Sequence, residues 1–472
     1  MKTHQNAPAM STSEQYDFLT KTPIPTLLLK LSIPSVFSLL ITSIYNMADT
    51  FFVGQISTSA SGAVGIVASL MTIIQAIGFT LGNGSGGVVS RKLGEQDSSA
   101  ASRIVSTGFF AALGAGLLLG IFGLLFLEPF MYTLGSTDTI LPHAMDYAFY
   151  ILLAAPIMMS SLVLNNVLRY EGNANFAMLG LVSGGILNII LDPIFIFGCN
   201  MGTGGAGLAT AVSQLAGWLI LFSVYARGKT SCQISFKKIT RSPAEFRVIF
   251  TTGMPSLGRQ GLASIASMVL NLTARGYGDA AVAAMSIIAR FAIFINSFVV
   301  GVGQGLQPIA AFNFGAKKFG RVYDATVTMI KATTVISLVL MAVLLSHPAE
   351  IMRIFRDDPE VIAIAVPAFI GQILTIPTLP MTTAGNMLFQ SLGKAKVATF
   401  LACCRQGICF VIPILLFPRL WGIFGLQIAQ PTSDFATFAI SACLLLPYLK
   451  KLKALGDLDA SQVHTDLASL EI

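Results

Sequence analysis

The stretch SGGILNIILDPIFIFG, Ser183 to Gly198, is an apolar run broken by one amide, Asn188, and one carboxylate, Asp192. A spacing of four puts both side chains on one face of a helix. A charge at the centre of a bilayer costs about 2.5 to 3.5 kcal/mol on insertion scales, so such a residue usually faces water and marks an ion or proton path. Pro193 follows directly; it removes a backbone donor and frees a carbonyl one turn back, so the helix is expected to kink beside the acid. The competing reading is a carboxylate buried for packing and paired with an arginine.

Outward from this segment the same composition continues. Of 472 residues 54% are hydrophobic and 11% charged, with a mean hydropathy of +0.75, which excludes a soluble protein of this size. A spanning helix needs about 20 apolar residues, and about twelve such segments follow one another with short loops, leaving no room for a soluble domain. The expected fold is an all-α integral membrane protein. No ATP-binding module accompanies it; the glycine-dense GFTLGNGSGGVVSRKLGE, Gly78 to Glu95, lacks the Gly-Lys-Ser/Thr ending of a nucleotide loop and reads as close helix packing. The six cysteines, Cys199, Cys232, Cys403, Cys404, Cys409 and Cys443, form no metal-type pair and read as small apolar fillers. The polar start lacks the apolar core of a cleaved leader.

The net charge of +7 raises the question of nucleic acid, but the placement of the charges answers it differently. Arg91, Lys92, Lys237, Lys238, Arg241, Lys317, Lys318, Lys394 and Lys450 fall on one side of the predicted helices, and Glu128, Asp138, Asp357, Asp358 and Glu360 gather on the other. This positive-inside pattern places both termini in the cytoplasm and the chain in the cell membrane.

Laid on itself at an offset of 221, the chain aligns without gaps. Pro34 and Ser35 meet Pro255 and Ser256; Gly82, Gly84 and Gly94 meet Gly303, Gly305 and Gly315; Pro156, Gly172 and Ala177 meet Pro377, Gly393 and Ala398. One register held from Pro34 to Ala177 implies two six-helix halves of one fold. Because six is even, they are parallel repeats about an axis along the membrane normal, a design used for alternating access around a central cavity. The expected organisation is a cytoplasmic tail 1–25, an N-terminal lobe 26–226, a basic cytoplasmic linker 227–244, a C-terminal lobe 245–448 and a cytoplasmic tail 449–472.

At about 1.5 Å of rise per residue, Asp49 in the first helix, Asp192 in the fifth and Thr210 in the sixth lie at one depth, roughly 7 to 9 Å below the outer boundary. With Asn188 they make an oxygen-rich set suited to sodium, or a carboxyl pair whose repulsion favours a proton. Tyr45 lies one turn from Asp49 on the same face. The second half instead carries Arg259, Arg290 and Arg405, with Asp434 the acid of its helices. One arginine is expected to pair with Asp434, and Arg259 is the expected partner; a sharper reading gives Arg259 a gating or anion-binding role.

On NMADTFFVG, LRYEGNANFAM, NIILDPIFIFG and GLATAVSQ the chain resembles the multidrug and toxic compound extrusion (MATE) family, over about residues 25–450. The resemblance implies a cation-coupling site at Asp49, Asn188, Asp192 and Thr210, with Tyr45, Tyr147 and Asn165 lining the same cavity. One branch of that family has coupling acids on helices 7 and 10; here helix 7 offers Arg259 and Gln260, expected to line the substrate cavity with the tyrosines and Asn165, and helix 10 (PTLPMTTAGNMLFQ) has no acid, so the pattern is closer to the DinF-like branch. The implied activity is export of organic, often cationic, compounds in exchange for H+ or Na+, by a monomer in the lipid bilayer that needs no other cofactor and no nucleic acid. The alternative is a lipid-linked oligosaccharide flippase of the wider superfamily, which calls for a cationic central cavity. An enzyme is not expected, since HExxH, GxSxG and clustered histidines are absent from the sequence.

Overall fold

The computed structural model describes residues 12–456; the outer parts of both expected tails lie outside them. A short helix, Thr12–Lys21, precedes twelve long ones. The first six are α1 (Ile24–Gly54), α2 (Thr58–Gly94), α3 (Ser98–Leu125), α4 (Leu141–Tyr170), α5 (Ala174–Gly198) and α6 (Gly202–Ala226). The second six are α7 (Pro243–Arg275), α8 (Asp279–Gly315), α9 (Phe319–Ser346), α10 (Pro359–Ser391), α11 (Ala395–Trp421) and α12 (Ile423–Gly456). Eleven of these are long and apolar enough to cross a membrane. The other, α7, has 33 residues but carries Glu245, Arg247, Arg259 and Arg275. Leu117, Leu118, Ile121, Phe122 and Leu125 of α3 are all exposed, as lipid-facing side chains of a spanning helix are.

The duplication is written into the backbone. Helices α2, α3, α5 and α6 begin at Thr58, Ser98, Ala174 and Gly202, and α8, α9, α11 and α12 begin at Asp279, Phe319, Ala395 and Ile423, each pair 221 residues apart. The short helices Leu127–Thr133 and Pro348–Phe355 obey the same offset. So do the left-handed residues that end α4 and α10, Gly172 (φ +87°) and Gly393 (φ +78°); a side chain is disfavoured in that region, which explains a glycine at both. Asn165 and Asn386 are also mates, and each donates from Nδ2 at 2.8 Å to the first turns of the next long helix, at Ala177 O and Ala398 O.

The described residues divide into two compact units, one built of 12–22, 33–257 and 311–317, the other of 23–32, 258–310 and 318–456. Their boundaries do not fall in the linker expected to separate the lobes. They cut α1, α7 and α8 instead. The start of α7 belongs to the first unit because its backbone lies directly on α2: a Cβ on Gly253 would sit 1.8 Å from Thr80 O, and one on Gly84 2.1 Å from Ile249 O. Asn83 Nδ2 donates to Ser256 Oγ at 3.0 Å across the same crossing. The start of α1 joins the second unit in the mirrored way, with Ser32 Oγ donating to Val302 O at 3.3 Å and no room for a Cβ on Gly305.

The linker is tied to the first unit. Backbone amides of Gln233, Ser235 and Thr240 donate to the hydroxyls of Ser102, Ser106 and Thr107 at the start of α3, at 3.1, 3.1 and 2.9 Å. Gln15 Nε2 of the N-terminal helix donates to Glu171 O at 2.6 Å, and Ser231 Oγ donates to Gln15 Oε1. Glu171, in the turn between α4 and α5, is buried and forms no ion pair among the described residues. Burial pushes its carboxyl up to about 7, against hydrogen bonds from Cys232, Ser231 and Asn173.

Candidate functional site

The acids predicted from helical depth come together inside the first unit. Asn188 Nδ2 on α5 donates to Asp192 Oδ1 one turn along at 3.3 Å and to Thr210 Oγ1 on α6 at 3.2 Å. From α4, Tyr147 donates its hydroxyl to Asp49 Oδ2 on α1 at 2.9 Å. The same hydroxyl lies within hydrogen-bond reach of Thr210 and within electrostatic reach of Asp192, so it links Asp49 to the Thr210 side of the set. Four helices thus supply Asp49, Tyr147, Asn188 with Asp192, and Thr210, and all five residues are buried.

Local sequence makes this convergence possible. Past Asp192 and Pro193 the helix widens into a π turn, Ile194–Gly198, with Cys199 N reaching back to Ile194 O at 2.8 Å; this is the distortion expected from the proline, and π turns gather at functional sites. Gly207 lets α6 lie against α4, since a Cβ there would come within 2.7 Å of Tyr147 O.

The set is short of donors. Asp49 Oδ1, Asn188 Oδ1 and Asp192 Oδ2 are buried oxygens with no hydrogen-bond partner, and Asp192 lies within electrostatic reach of Asp49. Buried acceptors are normally satisfied, and an unmatched one costs about 1 to 3 kcal/mol, more when charged. Two neighbouring carboxylates contribute two of these unmatched oxygens and the Asn188 amide the third, a set whose chemistry can accept a positive charge. A sodium ion fits it through hard oxygen ligands, and a proton fits it by neutralising one carboxyl.

Of the other expected site residues, Tyr45 is buried one turn from Asp49. Asn165 is not with the acids. It shares a face of α4 with Tyr147 but lies 18 residues along, about 27 Å of helix, and its amide is spent on the Ala177 carbonyl. Arg259 and Gln260 belong to the second unit, where Arg259 Nη1 reaches Asn386 Oδ1 at 3.4 Å. The pairing of Arg259 with Asp434 is wrong: Arg405 is the partner, with Nε 2.8 Å from Asp434 Oδ1. Both arginines lie at span depth, and sequence could not show that a π turn at Cys404–Ile408 aims Arg405 at α12. Asn296, Gln372, Thr375 and Gln430 complete that second cluster; sequence reading missed them because single amides and hydroxyls in apolar helices carry no spacing signal.

Twelve helices in two like halves, with a buried acidic receptor in one of them, define a polytopic membrane protein of the internally duplicated transporter class. The chain belongs to the MatE family, whose profile matches twice, at residues 34–194 and 255–415, a separation equal to the repeat offset. The multidrug export protein MepA of Staphylococcus haemolyticus (strain JCSC1435) is 27% identical over 435 residues, covering 90% of this chain and 95% of that protein. MepA of Staphylococcus aureus (strain MSSA476) is 27% identical over 417 residues, covering 87% and 91%. Among solved structures, the outward-facing conformation of a multidrug resistance MATE family transporter of the MOP superfamily superposes with a TM-score of 0.88 at 23% identity over 94% of this chain and all of that one. A MATE in complex with MaL6 gives 0.87 at 23% identity over 93% and 99%. These likenesses establish the shared fold.

Proposed function

We propose that this chain is a secondary active exporter that exchanges organic, often cationic, compounds for H+ or Na+ held at Asp49, Asn188, Asp192 and Thr210. The observation that carries the reading is the trio of buried, unpartnered oxygens on Asp49, Asn188 and Asp192. A cation entering there relieves both the repulsion and the missing hydrogen bonds. Such a ligand biases alternating access only through its different affinity for the two states. One charge moving down 100 mV releases about 2.3 kcal/mol, enough to drive export without ATP. Names of the relatives support the choice of drugs as cargo.

Coupling belongs to the first half alone. The mates of Asp49, Asn188, Asp192 and Thr210 are Leu270, Cys409, Pro413 and Pro431, none of them an acid, and the absence of an acid from the α10 stretch Pro377 to Gln390 favours the DinF-like branch. Against the flippase alternative stands the sign of this site, which is acidic. The chain works as a monomer in the cell membrane with both termini cytoplasmic. Dye efflux from everted vesicles, with sodium and proton gradients imposed separately, tests the reading. Uphill efflux driven by one of the two is expected, and efflux indifferent to both would overturn it.

A further inference from the structure

The second half holds a polar cluster that ion coupling leaves unused. Asp434 on α12 is buried, and its oxygens receive four donors. Arg405 Nε at 2.8 Å and Gln430 Nε2 at 3.2 Å bind Oδ1; Gln372 Nε2 at 3.0 Å and Thr375 Oγ1 at 3.2 Å bind Oδ2. Arg405 also donates from Nη1 to Asn296 Oδ1 at 3.0 Å. The carboxylate end of the pair is fully shielded, whereas 21% of the Arg405 side chain remains exposed. Arg405 is therefore the partly accessible member of the pair and Asp434 the shielded one.

Stability does not explain such a cluster. Exchanging a buried ion pair for apolar side chains of equal volume is commonly neutral or stabilising, and ionisable groups at span depth tend to mark function. The backbone under Arg405 is distorted as well. Its turn, Cys404–Ile408, is π-helical, Gly407 lies off helical geometry (φ −106°, ψ −105°), and Ser433 Oγ ties the Arg405 carbonyl to α12 at 2.6 Å. A turn already out of the regular ladder can re-aim its side chain with little change elsewhere.

We propose that the Asp434 cluster recognises an amidinium or guanidinium group of an exported compound, and that Arg405 is the chain's own occupant, displaced when the compound binds. A flat cation with two parallel N–H groups matches what Arg405 now offers to Asp434 and Asn296, donor for donor. Gln372, Thr375 and Gln430 hold the carboxylate oriented during the exchange. Displaced, Arg405 turns its charge toward the side on which it is already exposed. The assignment rests on the export reading above, but its readout is binding, so it stands or falls separately from the coupling site.

The test is equilibrium binding of p-aminobenzamidine, with neutral p-aminobenzamide as control, to the purified full-length chain in lipid nanodiscs. Arg405→Gln removes the competing charge and should tighten amidine binding about tenfold, the effect of one ion-paired contact. Asp434→Asn should weaken it by about the same factor, and the amide should show neither change. The double variant Arg405→Gln, Asp434→Asn removes both charges together, so it keeps the test open if a lone buried charge unfolds the chain; it should lose the amidine. Amidine affinity unchanged in the double variant, or unchanged by Arg405→Gln, would overturn the assignment.

Discussion

At the residue scale the sequence was most readable where chemistry and spacing agree. Asp192 and Asn188 declare themselves by standing four apart in an apolar run, and Thr210 and Asp49 by depth alone; the structure brings all four together with Tyr147. Arg259 and Arg405 show the limit, because two arginines at span depth are indistinguishable until the bend of α11 is known. Glu171 shows another: in the sequence it is an ordinary loop acid, and only the packing of the Gln15 helix and the linker buries it. Its carboxyl, pushed up to about 7 from 4.5, has a consequence with a definite sign. Below 4.5 both folded and unfolded chains hold this proton; between 4.5 and about 7 only the folded chain does, so stability from this group falls as pH rises through that window and levels off above it. Thermal unfolding followed from pH 4.5 to 8 should show Glu171→Gln gaining on the parent chain as pH rises. A constant difference between the two would contradict the assignment.

Among the elements, the repeat was the most legible feature, since Pro34 with Pro255 and Gly172 with Gly393 survive as matched letters and reappear as matched backbone. The compact units were not legible. Their boundaries depend on close approaches of backbone, and a glycine placed for contact looks the same in sequence as one facing lipid. Gly253→Ala puts a methyl where Thr80 O already lies 1.8 Å away and should destabilise the chain by about 1 to 3 kcal/mol, as overpacking does. Gly65→Ala, on α2 with nothing within 4 Å, should be neutral or gain up to about 1 kcal/mol in helix propensity. Unfolding temperatures of the two variants in one detergent check this contrast; equal effects would contradict a close backbone crossing of α2 and α7.

At the scale of the whole molecule, duplicated architecture carries an unduplicated charge site. The first half keeps acids with unmatched oxygens, while the buried acid among the described residues of the second half, Asp434, is saturated by its own chain. Reporter fusions in the linker between α6 and α7 should report a cytoplasmic location; an external linker would contradict the positive-inside reading. The most direct measurement of the central claim is paired, on proteoliposomes and on purified chain: uphill dye efflux and equilibrium dye binding for Asp49→Asn and Asp192→Asn, which preserve size and remove the titratable charge. The account predicts that both variants fold and still bind dye but lose gradient-driven efflux, whereas near-normal uphill efflux by Asp192→Asn would contradict it.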